Sequence, residues 1–131
     1  MRIKTTELIG PALDWAVAMA DNRPVFMCKG VVVDQTNGIF GEMPTPFRPS
    51  TDWRHGGPII ERADISFRKY HRPDSPTHGT YYAKICMESG TIIYWSKKTD
   101  YTGPTPLIAA MRCYVASRLG GEIEVPDELL A

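Results

Sequence analysis

Apolar positions recur at helical spacing near both ends of the chain and alternate in a strand-like way between them. Leu8, Leu13, Val17 and Ala20, with Ala16 and Trp15 beside them, form one face of an N-terminal helix. Thr5 or Thr6 ahead of Glu7-Leu8 marks its start, and Pro11 pre-sets the first-turn backbone for residues 12–20. Asp21-Asn22, followed by Pro24, stops it. The last helix is the clearest element. Thr105 reads as its N-cap, Pro106 as its first residue and Gly120 as the residue just past its end. Between them Ile108, Met111, Val115 and Leu119 recur as a stripe, which Leu107 and Tyr114 widen. Arg112 and Arg118 lie off that stripe, and Arg118 suits the negative end of the helix dipole.

The middle of the chain carries period-two patterns and turn residues. Arg2–Lys4 is a short strand or an extended lead-in. Residues 24–33 hold two short strands, with Gly30 marking a bulge between them. Residues 34–48 are rich in Gly, Pro, Thr and Asn. They read as a long loop, tethered by Phe40, Met43 and Phe47. A structureless loop of that length is uncommon inside a domain unless it is functional or inserted. In STDWRHGGPIIER (residues 50–62), Ser50 or Thr51 caps a first turn holding Asp52 and Trp53. Gly56-Gly57 breaks that turn, and Pro58 opens a second over residues 59–63. Residues 65–70 alternate as a strand, with Ile65 and Phe67 on one face and Ser66 and Arg68 on the other. Residues 81–87 alternate again, Ser89-Gly90 reads as a hairpin turn and 91–96 as the return strand. This order predicts an α+β fold: an antiparallel sheet with the N-terminal and C-terminal helices packed on it, sandwich-like, in one domain over 1–131 with a loop or insertion at 34–48.

Length and charge narrow the functional classes. At 131 residues the chain can bury a core without disulfides or metals. Its formal net charge is zero, so nothing draws it globally to nucleic acid or to an anionic membrane, and duplex DNA is not an expected partner. No apolar run approaches a membrane span, and Asp14 interrupts the N-terminal apolar stretch, which reads as a helix and not a signal peptide. Cys28, Cys86 and Cys113 are odd in number and lack a CxxC, as expected for reduced, buried thiols.

The chemistry-bearing residue types form no catalytic motif. His55, His71 and His78 lack zinc-motif spacing, and HExxH, GxSxG and the phosphate-loop patterns are missing. The sequence therefore implies neither an enzyme nor a cofactor. Two binding candidates stand out. The first is the Gly56-Gly57-Pro58 turn, whose amides, at the first turn of a helix, could hold an anion. Arg54 and Arg62 flank it, His55 adjoins it, and Trp53 could stack on a planar ring. The competing reading makes Trp53, Ile59 and Ile60 core, and pairs the two arginines with Asp52, Glu61 or Asp64. The second candidate draws on a basic and aromatic set. In it Arg68, Tyr82, Lys84 and Tyr94 share one sheet face, near Lys69, Tyr70, His71, Arg72, Tyr81 and Trp95. That face is open if both helices pack on the other side of the sheet, and core if they pack on both.

Three segments together, KTTELIGPALDWAVA, STDWRHGGPIIER and GPTPLIAAMRCYVASRLGGEIEVPDEL, resemble the NinX family of small phage and prophage proteins. Residues 22–47 and 71–80 look less typical of it. The resemblance implies a phage accessory gene product acting in the bacterial cytoplasm, and it brings no catalytic residues. The general plan is similar to other small phage α-β-α sandwich proteins. In that setting the expected function is non-enzymatic capture of a small anionic nucleotide, a signal of antiviral defence, by Trp53, Arg54, His55, Gly56, Gly57, Arg62, Arg68, Tyr82 and Tyr94. The alternative is a protein-interaction module that blocks or adapts a host or phage protein through Phe40, Met43 and Phe47, with the acidic tail after Gly120 adding specificity. A DNA-associated role ranks lower on charge. A homo-oligomer is expected, because a small sheet with two helices leaves an apolar face to cover.

Overall fold

The computed structural model describes residues 1–35, 45–71, 73–74, 79–85 and 101–130. Helix α1 (Gly10–Ala20) carries Pro11 in its first turn and buries Leu13, Ala16 and Val17 completely. Asp21 ends it, and Asn22 turns the chain through the left-handed region at φ 54°. Helix α3 (Pro106–Leu119) starts as expected: the Thr105 hydroxyl accepts the Ile108 N–H at 3.1 Å. Gly120, at φ 91°, ends it in a conformation that suits glycine. α3 is buried nearly all round from Leu107 to Ala116, including Ala109, Ala110 and Cys113. It is therefore the central element of the core and not a surface helix with one apolar stripe. Leu119 departs from expectation: it is exposed, one turn beyond the part of α3 that the core surrounds.

The strands form antiparallel sheets, and the α+β expectation holds. β1 (Arg2–Lys4) pairs with β8 (Glu122–Glu124), placing Ile3 opposite Ile123 and joining the two ends of the chain. β2 (Val25–Cys28) and β3 (Val31–Asp34) form a hairpin, extended by β4 (Thr45–Pro46). Lys29 and Gly30 both have positive φ, 51° and 77°, so they are the two-residue turn of this hairpin and not a bulge. Phe47, just after β4, is buried, so the tether expected there is present; Phe40 and Met43 lie outside the described residues. The third sheet runs β5 (Ile65–Lys69), β6 (Tyr81–Ile85), β7 (Tyr101–Gly103). Ile65, Ala83, Ile85 and Tyr101 are buried on the side facing α3, which contacts all three strands. The turn expected at Ser89-Gly90 and the strand expected at 91–96, with Cys86, lie outside the described residues.

Helix α2 (Trp53–Arg62) corrects the reading of the central stretch. It is one helix that runs through Gly56-Gly57-Pro58. Asp52, not Ser50 or Thr51, is its N-cap and accepts the Arg54 N–H at 2.9 Å. Gly56 is required by close approach: a Cβ there would lie 2.5 Å from the Pro49 carbonyl oxygen and 2.6 Å from Leu107 Cδ2. Gly57 precedes Pro58, where any Cβ would clash with the proline ring in helical backbone, so glycine lets the helix pass the proline. Ile59 is fully buried, as expected, and Ile60 packs at the margin of the core.

One polar side chain ties the layers together. Arg112 of α3 is half-buried and donates to the Leu8 carbonyl and the Thr102 carbonyl, each at 2.7 Å. It thereby ties the lead-in to α1 to strand β7. Of the thiols, Cys113 is buried, and burial pushes its pKa up to about 12. Cys28 is exposed next to the hairpin turn, on the side of β2 that it shares with the exposed Phe26 and that is left uncovered among the described residues.

Candidate functional site

The β5–β6 register decides which side chains share a face. Arg68 sits opposite Tyr82, and Ser66 opposite Lys84. Alternation puts Tyr70 on the same side, and its ring meets Tyr82 edge-on at 6.2 Å. The opposite side of the sheet faces α3. Arg68 and Ser66 are exposed, and Tyr82 and Lys84 are half-buried. The Lys84 ammonium lies 5.4 Å from the Tyr82 ring centroid, within cation–π range. Together with Phe67 at the sheet edge, these residues line a shallow pocket of about 190 Å³. Trp53, at the start of α2, leans on Phe67 with ring centroids 6.0 Å apart. It is 50% exposed. This is where the expectation of a packed Trp53 fails: the ring belongs to a surface aromatic pair beside the basic pocket, while Ile59 on the same helix is core.

A second pocket, of about 320 Å³, opens at the N-terminus of α2. Thr45, Pro46, Arg48, Asp52, Arg54 and His55 line it. Asp52 takes the Arg54 guanidinium through Nε at 3.2 Å and Nη2 at 2.8 Å. Those bonds and the Arg54 backbone N–H hold its carboxyl down at about 2. The His55 ring lies 5.6 Å from the buried Phe47 ring, and its Nδ1 accepts the Arg48 N–H at 3.0 Å. Behind the pocket, Asp14 of α1 accepts the Ser50 N–H at 2.9 Å. Burial pushes the Asp14 carboxyl up to about 6, against the Ser50 N–H bond and the Arg48 charge.

With this geometry in place, comparison with known proteins supplies the lineage. The family described as bacteriophage P22, NinX matches residues 4–118. The chain belongs to the NinX family. No curated protein matches it. The match covers α1, α2, the sheet face and all but the last residue of α3. It makes this a phage NinX-like protein. Among the described residues of this NinX chain, no helix is long and apolar enough to cross a membrane, and no three His, Cys, Asp or Glu side chains gather as a metal site.

The NinX fold brings the expected site residues together only in part. Trp53, Arg68 and Tyr82 meet around the sheet-face pocket, and Arg54 and His55 meet at the α2 pocket. Gly56 and Gly57 are helix interior, so their amides do not form the anion turn anticipated from sequence. The Gly56 N–H already donates to the Asp52 carbonyl at 3.0 Å. Arg62 is also removed from the site. It pairs with Asp21 at 3.2 Å, and neither Glu61 nor Asp64 is its partner. Asp21 further accepts from Arg23 at 2.7 Å and from the Tyr114 hydroxyl at 3.0 Å. Partial burial raises the Asp21 pKa, but the bonds from Arg62, Arg23 and Tyr114 outweigh it, and the carboxyl sits below its ordinary value. That cluster fastens the C-terminal ends of α1 and α2 to α3, a structural role. Tyr94 lies outside the described residues. Arg48 was not singled out from sequence, because its place beside His55 arises from the fold of residues 47–52; Phe67 was assigned only to the apolar strand face.

Proposed function

We propose that this NinX-family chain is a non-enzymatic phage accessory protein that binds and sequesters a small nucleotide-type signal of bacterial antiviral defence in the host cytoplasm. The observation that carries the reading is the sheet-face pocket. There a guanidinium (Arg68), an ammonium (Lys84) and a phenol (Tyr82) lie beside two partly exposed aromatic rings, Trp53 and Phe67. Aromatic faces stack on bases whatever their identity, and neighbouring cations take the phosphates. A local cluster of this kind is compatible with zero net charge. The pocket is shallow, and tight capture needs more of the ligand surface covered. A second copy of the chain would supply that cover, so a homo-oligomer belongs to this reading.

The test is mass spectrometry of small molecules released by heat from protein incubated in lysate of infected, defence-activated cells. A stoichiometric nucleotide, lost in Arg68→Gln and retained in Arg62→Lys, is the expected result. Protein that emerges empty from several such lysates would overturn the proposal. The exposed Trp53–Phe67 pair also favours a second reading, an inhibitor or adaptor of a host or phage protein, since exposed aromatic pairs are frequent binding hot spots. Phe47 is buried and cannot serve as the anchor of that interface. Capture of one stoichiometric protein, abolished by Trp53→Ala with the fold intact, would favour the second reading over the first.

A further inference from the structure

The α2 pocket is separate in its residues from the sheet-face pocket, and its chemistry is different. It holds no exposed aromatic ring, but three nitrogen-bearing side chains converge on it. Arg54 is held in place by Asp52 through Nε and Nη2, which leaves Nη1 for a ligand. The Arg48 guanidinium makes no ion pair among the described residues. His55 accepts the Arg48 backbone N–H at Nδ1. The ring is therefore the tautomer with its proton on Nε2, and Nε2–H is the one donor it can offer. The Thr45 hydroxyl adds a fourth polar group to the lining.

Charge selects the ligand. The charges that line the pocket, Arg48 and Arg54 against Asp52, sum to plus one, and the Asp14 carboxyl behind Arg48 offsets part of that. A singly charged anion is the most this balance favours, whereas a second negative charge would face the Asp52 and Asp14 carboxylates. Planar guanidinium groups and an N–H donor suit the spread oxygens of a phosphate ester. We infer that the pocket lined by Arg48, Arg54, His55 and Thr45 is a binding site for a phosphodiester monoanion. This deepens the nucleotide reading by naming the linkage chemistry the protein takes, and it rests on that reading only for the class of ligand.

The experiment uses the full chain and a probe without a base. The His55 side-chain NMR signals are followed during titration with dimethyl phosphate up to about 50 mM, with matched sodium chloride and neutral trimethyl phosphate as blanks. The expected result is a saturable shift at His55 with dimethyl phosphate alone, and an affinity about tenfold weaker in Arg48→Gln. Arg48→Gln keeps the backbone N–H that orients His55, so the variant removes charge and leaves the ring in place. A silent His55, an equal response to either blank, or an unchanged affinity in Arg48→Gln would each overturn the site. The sheet face is read separately from Tyr82. Nucleotide capture by a protein whose His55 ignores dimethyl phosphate sinks the phosphodiester site and leaves the sheet-face reading standing. A saturable His55 shift in a protein that captures no nucleotide does the reverse.

Discussion

The two adjacent glycines of α2 make opposite demands, and substituting each by alanine separates them. At Gly56 the added Cβ would sit 2.5 Å from a backbone oxygen, that of Pro49, and 2.6 Å from Leu107 Cδ2. An ordinary carbon–oxygen contact is roughly 3.3 Å, so helix and loop would have to part by most of an ångström. Leu107 can adjust, but the Pro49 carbonyl is held between buried Phe47 and Ser50. Forcing extra methylenes into such a site costs about 1–3 kcal/mol, and two hard contacts place Gly56→Ala towards the upper end. The gain in helix propensity, about 1 kcal/mol, returns part of this. The net expectation is a loss of about 2 kcal/mol, or roughly 8 °C in Tm for a chain of this size. Gly57→Ala meets nothing within 4 Å. Its propensity gain is largely offset by the clash of a Cβ with the following proline ring, so it should stay within about 0.5 kcal/mol of wild type. The assay is urea unfolding followed by tryptophan fluorescence, comparing midpoints at constant slope. A Gly56→Ala variant as stable as the wild type would refute the close-approach argument. A Gly57→Ala variant more stable than the wild type by the full propensity gain of about 1 kcal/mol would refute the account of how α2 passes Pro58.

Three further perturbations bear on the scaffold. The Asp14 carboxyl, raised to about 6 in the fold, contributes stability that is full below about pH 4 and lost as pH rises through 6, a swing of about 3 kcal/mol. Asp14→Asn keeps an acceptor for the Ser50 N–H and should flatten that pH dependence and stabilise the protein at pH 7, read from urea midpoints between pH 4 and 8; an unchanged slope would contradict the assignment. Tyr114→Phe removes the hydroxyl bonded to Asp21 and should cost about 1 kcal/mol in the same assay, leaving nucleotide retention intact. Thr105→Ala deletes the α3 cap and should cost about 1 kcal/mol, with Thr105→Ser recovering most of it.

What could be read from the sequence follows how local each signal is. The start and end of α3 were legible because Thr105, Pro106 and Gly120 act on backbone groups within one turn. β5 and β6 were legible because period two survives in short strands, and with their register Arg68 and Tyr82 fell on one face as expected. Which face α3 covers was not legible, since alternation is symmetric until a third element packs. α2 was misread because Gly-Gly-Pro is ordinarily a break, and the reasons it is not one here lie at Pro49 and Leu107, the latter far along the chain. The Lys29-Gly30 turn was obscured because lysine seldom takes positive φ. β7 was missed because three residues ending in Gly, just ahead of Pro104, give no alternation, and only pairing with β6 defines the strand. Arg62 looked like a ligand residue because its partner, Asp21, is 41 positions away. Arg54 did pair with Asp52, two positions away, as the simpler reading of the stretch expected.

The most direct measurement of the central claim is an NMR map of which residues respond when the small-molecule fraction of infected, defence-activated cells is added to labelled protein. The account predicts shifts concentrated at Ser66, Phe67, Arg68, Tyr82 and Lys84, with the Trp53 indole signal moving alongside them. No response to that fraction, or a response of the same residues to the macromolecular fraction alone, would contradict small-ligand capture.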